Sequence, residues 1–301
     1  MPDYTPISYG STDGLVLHAR DYPAAGKPHA AVRGARPLAP PLPVICIHGL
    51  TRNAADFEEF APRVAALGRR VLALDVRGRG HSARDPDPDN YNLKVYAGDV
   101  VRLMEGLGLA RAVFVGTSMG GLITMTLADG RIDLIGAAVL NDIGPEIAEG
   151  GLARIAGYAG KPVSAAGWDE AAAVVRDINA CAFPDNGEGD WLQWARRAFE
   201  PGADGNLAPR YDPAIGRALQ EGKLATTSPE LQRAFRKLAQ ERPVLLVRGV
   251  LSDLLEARHA DAMRQAAPRL RYVEVPNVGH APMLTEPAAF DAIAAFLATV
   301  P

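Results

Sequence analysis

Gly116-Thr117-Ser118-Met119-Gly120-Gly121, GTSMGG, follows directly on the apolar run AVFV at 112–115. AVFV has the composition of a strand, and GLITMTLADG at 121–130 has that of a helix start. Ser118 therefore falls on a strand-to-helix turn, with glycines two residues to either side. Glycine at those places lets strand and helix pass closely. The turn lifts the serine hydroxyl clear of the sheet and puts it at a helix N-terminus, where backbone N–H groups can hold a developing negative charge. G-x-S-x-G alone is a weak signal. In strand-to-helix context it is the pattern of a nucleophile elbow.

Similar apolar runs recur along the chain: PVICIHG (43–49), RVLALDVRG (70–78), IGAAVLNDIG (135–144), PVLLVRG (243–249) and LRYVEVPN (270–277). They lack the alternation of a half-solvated strand, as expected of parallel strands covered on both faces. Amphipathic stretches between them, such as DFEEFAPRVAALG and YNLKVYAGDVVRLMEGLG, predict helices. The pattern implies an α/β fold with a mostly parallel central sheet flanked by helices. Near the N-terminus, PISYGSTDGLVLHARDYP turns at Asp13-Gly14 and predicts an antiparallel hairpin at the sheet edge. The Pro-, Gly- and Ala-rich stretch that follows, around His29, predicts an exposed loop.

From about 145 to 240 the alternation stops. WDEAAAVVRDINACAF, DWLQWARRAF and PELQRAFRKLAQ are all helix-like, and Trp168, Trp191 and Trp194 all fall here. The expected organisation is a core over 1–144 and 241–301, with an inserted helical cap over 145–240.

The 301 residues are 48% hydrophobic, which suffices for one large domain with a real core. A net charge of −3 gives no basic face for nucleic acid. Cys46 lies within an apolar strand and Cys181 far from it, so a buried thiol is expected rather than a disulfide. MPDYTPISYG has no secretory pattern, and no apolar run is long enough for a bilayer, so a soluble, cytoplasmic protein is expected, with no membrane association. No Cys/His spacing suggests a metal, and no motif suggests a cofactor.

A serine hydroxyl needs a base, most often histidine. Of the six histidines, His280 in NVGHAPML lies after the last strand and before the C-terminal helix, where the order serine, acid, histidine expects the base. The acid must follow a strand end. Asp253, in LLVRGVLSDLL, is the expected residue, and Asp142, in VLNDIGP, is its competitor. The oxyanion donors expected are the N–H groups of Met119 and of Leu50 in HGLTRN.

VICIHGLTRN, LALDVRGRGHS, VFVGTSMGG, GVLSDLL and VPNVGHAPMLTEP, in that order, resemble the landmarks of the α/β-hydrolase superfamily, in its lid-bearing branch of esterases, lactonases and C–C bond hydrolases. The resemblance runs from about residue 43 to the C-terminus. It implies Ser118, Asp253 and His280 as the triad, Leu50 and Met119 as the oxyanion donors, and a small-molecule substrate of ester type. A serine nucleophile speaks against the branches that attack with a carboxylate. Three readings follow: a carboxylic-ester or lactone hydrolase, a C–C bond hydrolase of a dioxo acid, and a catalytically silent receptor on the same fold. Trp191 and Trp194 are candidates for the pocket wall or the cap's own core, and Arg52 for an acidic substrate group or a loop-fixing ion pair.

Overall fold

The computed structural model describes residues 4–25, 40–223 and 225–301. His29 and most of the Pro/Gly/Ala-rich stretch lie outside them. β1 (Thr5–Gly10) and β2 (Val16–Tyr22) form the hairpin, turning through Gly14 at φ 88°. There follow β3 (Val44–Ile47), α1 (Phe60–Ala66), β4 (Val71–Asp75), α2 (Leu93–Gly106), β5 (Ala112–Thr117), α3 (Met119–Arg131) and β6 (Ile135–Asn141). The inserted segment holds α4 (Glu149–Ala156), α5 (Trp168–Asn179), α6 (Glu188–Ala198), a small ribbon of β7 (Phe199–Pro201) with β8 (Leu207–Pro209), and α7 (Arg217–Gln220). The chain then runs through α8 (Pro229–Glu241), β9 (Val244–Gly249), α9 (Ala257–Ala266), β10 (Arg271–Val275) and α10 (Pro287–Leu297).

Among the described residues, eight strands form one sheet in the order β1-β2-β4-β3-β5-β6-β9-β10. The hairpin pairs antiparallel with β4, and every later neighbour is parallel. The continuous apolar strand sequences are explained by two cores, one on each face. Ile45, Phe114 and Leu140 pack with Leu103, Ile123 and Phe235 on one side. Val44, Cys46, Val115 and Val139 pack with Phe60, Val64, Ile293 and Phe296 on the other. Successive side chains of a strand point to opposite faces, so the interior strands β3, β4, β5, β6 and β9 are buried along almost their whole length, whereas β10, expected to be covered on both faces, is an edge strand and largely exposed because no strand pairs beyond it among the described residues. Cys46 is a buried thiol, its pKa raised by burial.

The register sets the site. Ile47 pairs with Gly116, Thr117 with Asn141, and Asn141 with Val247. The C-terminal ends of β3, β5, β6 and β9 therefore lie side by side, and the residues that follow them share one edge.

The insertion differs from expectation at its C-terminal boundary. α8 starts afresh at Ser228, whose Oγ accepts from the Leu231 N–H at 3.1 Å, with Pro229 in its first turn. Its Phe235 and Leu238 are buried in the same core as Ile123 of α3. α8 thus belongs to the sheet's helical layer, and the cap ends near 228 rather than 240. The cap is also not wholly helical, since the β7-β8 ribbon lies within it.

Candidate active site

Ser118 has φ 51° and ψ −115°, a backbone conformation that L-residues avoid and that costs on the order of 1–3 kcal/mol. The glycines make it possible. A Cβ on Gly116 would stand 2.5 Å from the Gly120 backbone, and one on Gly120 would stand 2.0 Å from the Ile47 carbonyl oxygen. No side chain fits at either place. The Ser118 N–H donates to the Asn141 carbonyl at 3.0 Å, which fastens the turn to β6.

His280 completes a relay. Its Nε2 lies 2.9 Å from Ser118 Oγ and its Nδ1 lies 2.8 Å from Asp142 Oδ2. A carboxylate can only accept, so Nδ1 carries the proton and Nε2 is free to accept from the serine hydroxyl. Asp142 is fully buried at φ 55°, which turns it back from the end of β6 toward His280. Its Oδ1 accepts from the Gly249 N–H at 2.8 Å, and its Oδ2 from Ser252 Oγ at 2.5 Å. Such an arrangement can pass a proton from the hydroxyl to the imidazole and stabilise the resulting imidazolium.

The expectation that Asp253 faces His280 is corrected. Both of its oxygens are taken by Arg154, from α4 of the cap, at 2.5 Å to Nε and 2.8 Å to Nη2. That guanidinium holds the Asp253 carboxyl below the usual carboxylate range. Asp253 ties the cap to the sheet edge. The docking is close: a Cβ on Gly151 of α4 would stand 2.6 Å from the Asp253 carbonyl oxygen.

The loop after β3 meets the elbow. A Cβ placed on Gly49 would stand 3.7 Å from Ser118 Cβ. Among the described residues, neither the Leu50 nor the Met119 N–H donates to another group of the chain. Both segments are braced by the buried Arg79, whose Nε donates to the Leu50 carbonyl at 3.0 Å and whose Nη2 lies 3.5 Å from Met119 Sδ. His48 is a brace too. Its Nε2 accepts from the Val76 N–H at 3.1 Å and its Nδ1 donates to the Gly49 carbonyl at 2.7 Å. Burial pushes its pKa down to about 3, so it is neutral.

A cavity of about 110 Å³ opens above Ser118 and His280. Cap residues Ile155, Tyr158, Val174, Ile178, Trp194 and Phe199 give it an apolar wall. Trp194 and Arg52 both line it. Trp191 does not. It is buried behind Trp194, with ring centroids 5.8 Å apart and planes 24° from parallel, and belongs to the cap's core.

Besides Arg79, three further supporting residues were not singled out from the sequence. Asn141 is fully buried, and its Nδ2 donates to Thr117 Oγ1 at 3.0 Å and to the Pro282 carbonyl at 2.7 Å, joining the elbow to the His280 loop. Ser252 holds Asp142, and Arg154 holds Asp253. Asn141 could have been suspected as a polar residue ending a wholly apolar strand; Ser252 and Arg154 carry no comparable signal.

The family model for the alpha/beta hydrolase fold matches residues 43–287. The 3-hydroxybutyrate-oligomer hydrolase of Cupriavidus necator is 35% identical over 254 residues, 82% of this chain and 85% of that protein. The 2-(acetamidomethylene)succinate hydrolase of Mesorhizobium japonicum is 29% identical, over 82% of this chain and 83% of its own length. A crystal structure of an alpha/beta hydrolase from Novosphingobium aromaticivorans superposes with a TM-score of 0.87 at 39% identity, covering 99% of both chains.

Proposed function

This chain belongs to the α/β hydrolase family, and we propose that it is a serine hydrolase of carboxylic esters or lactones that works through an acyl-enzyme on Ser118. The observation that carries this reading is the continuous Ser118–His280–Asp142 contact beneath the cavity. His280 takes the hydroxyl proton as Oγ attacks the ester carbonyl. The oxyanion that forms is held by the N–H groups of Leu50 and Met119. His280 then returns the proton to the leaving alcohol, and the same base activates water to release the acid. Asp142 fixes the imidazole tautomer and stabilises its charged form. The apolar cap wall excludes water from the reacting carbonyl. The name of the Cupriavidus necator relative makes short oligoesters of hydroxy acids the first substrates to try.

A fluorophosphonate probe tests this directly. It should label Ser118, and Ser118→Ala should fold, lose labelling and lose about 10⁴-fold or more in kcat. Labelling that persists in Ser118→Ala contradicts the assignment.

A further inference from the structure

We propose that Arg52 is a carboxylate-binding subsite, so that the favoured substrate is an ester carrying a carboxylate a few atoms from the scissile carbonyl. The proposal rests on the serine-hydrolase reading above and adds to it the charge of the substrate.

Among the described residues that line the cavity, Arg52 is the sole arginine or lysine and its partner Asp56 the sole carboxylate, set in a wall that is otherwise largely apolar. It stands two residues beyond Leu50. A single point, the Cβ position on Gly49, is 3.5 Å from Arg52 Cγ and 3.7 Å from Ser118 Cβ. The side chain therefore starts beside the nucleophile and extends along the pocket.

The guanidinium is held ready. Its Nε donates to Asp56 Oδ2 at 2.6 Å, its carbon lies 4.1 Å from the Trp194 ring centroid, and its Nη2 lies 3.2 Å from Met283 Sδ. These contacts occupy one edge and one face. Thioether sulfur is a weak acceptor, and Nη1 donates to no group among the described residues. The outer Nη edge is thus the part left for a ligand, and a planar fork of N–H donors matches a carboxylate in shape and charge. Burying most of an arginine in an apolar wall costs free energy unless its donors are used. Asp56 meets part of that cost.

Asp56 does not forbid a second carboxylate. This chain repeatedly places several on one guanidinium: Arg77 pairs with Asp13, Asp85 and Asp99, and Arg197 with Glu58 and Glu59. Here Asp56 orients the fork through Nε and leaves the opposite edge open.

The test compares matched esters. On the acyl side, the mono-4-nitrophenyl ester of glutaric acid is set against 4-nitrophenyl valerate. On the alcohol side, 3-(butyryloxy)butyrate is set against its neutral amide. The ratio of kcat/KM, charged over neutral, should favour the charged ester in at least one pair. Arg52→Gln should lower that ratio about ten- to hundredfold through KM, the worth of hydrogen bonds to a charged group. Arg52→Lys, which keeps charge without the fork, should restore part of it. Should Arg52→Gln fail to fold, Arg52→Lys and competitive inhibition of the wild type by glutarate carry the test. A ratio that is the same in wild type and both variants, with Ser118 still labelled by the phosphonate, overturns this proposal alone. A preference for the neutral esters, or no inhibition by glutarate, also overturns it. Absence of both hydrolysis and labelling overturns the serine-hydrolase reading and this proposal with it.

Discussion

Asp142 and Asp253 follow neighbouring strands of the same sheet, yet their surroundings differ in kind. Asp142 is fully buried and bonded by a backbone N–H, a serine hydroxyl and an imidazole, all from the sheet's own strand ends. Asp253 is 40% exposed at its side chain and bonded by an arginine from the cap. The same division holds for the regions around them. The sheet edge is fixed by register, glycines without room for a Cβ, and buried hydrogen bonds. The cap rests on its own aromatic packing and on contacts such as Arg154–Asp253. The C-terminal sheet edge brings Ser118, His280 and Asp142 together, and residues of the inserted segment line the cavity above them.

That contrast can be strained from both sides. The largest effect expected in the cap is from Trp191→Ala, which removes a buried ring from between the cap helices and should cost about 3–5 kcal/mol by chemical denaturation. Trp194→Ala should instead shift the preference among esters of increasing acyl length, since that ring faces the cavity. Equal changes in ester preference for both variants would merge the two roles and blur the comparison.

On the sheet edge, His48 supplies a pH test. It is neutral in the fold, its pKa pushed by burial to about 3, whereas an unfolded histidine titrates at about 6.5. Between those values the unfolded chain binds a proton that the folded chain does not. The stability His48 contributes is therefore complete above about pH 6.5 and is lost as pH falls toward 3. His48→Gln should flatten the acid limb of a stability–pH curve by up to about 1.4 kcal/mol per pH unit. An unchanged slope would show that the brace is not held neutral. The smallest effect belongs to Arg154–Asp253. With the carboxylate side chain 40% exposed, Arg154→Gln should cost no more than about 1 kcal/mol. A loss of several kcal/mol, read by denaturation, would mean that the cap is as rigidly founded as the sheet.

These differences also mark where the sequence stops being readable. The placement of Ser118, Met119 and Leu50 was legible because each is defined by a local pattern: an apolar strand, then glycines whose missing side chains are felt within a few residues. His280 followed from its place after the last strand. The choice between the two aspartates was not local. It depends on Asp142 turning back at positive φ, and on Arg154 arriving from α4, 99 positions away in the chain, to claim Asp253. The Trp191 and Trp194 pair shows the same limit. Both lie on α6, yet Trp194 lines the cavity against the Arg52 guanidinium while Trp191 is stacked on the Trp194 ring, a difference their spacing does not show. For α8, amphipathic spacing predicted a buried face but not that the face would cover α3 instead of closing the pocket.

The central claim is that the carboxylate serving His280 comes from the end of β6. The decisive measurement is the steady-state kcat of Asp142→Asn beside Asp253→Asn on one activated ester, with folding of both checked by circular dichroism. Asp142→Asn should lower kcat by about 10⁴-fold, because the amide offers Nδ1 the wrong partner and the imidazole the wrong tautomer. Asp253→Asn should stay within about tenfold of the parent, since its partner is an arginine of the cap. The reverse pattern, with Asp253→Asn inactive and Asp142→Asn near the parent rate, would contradict the account.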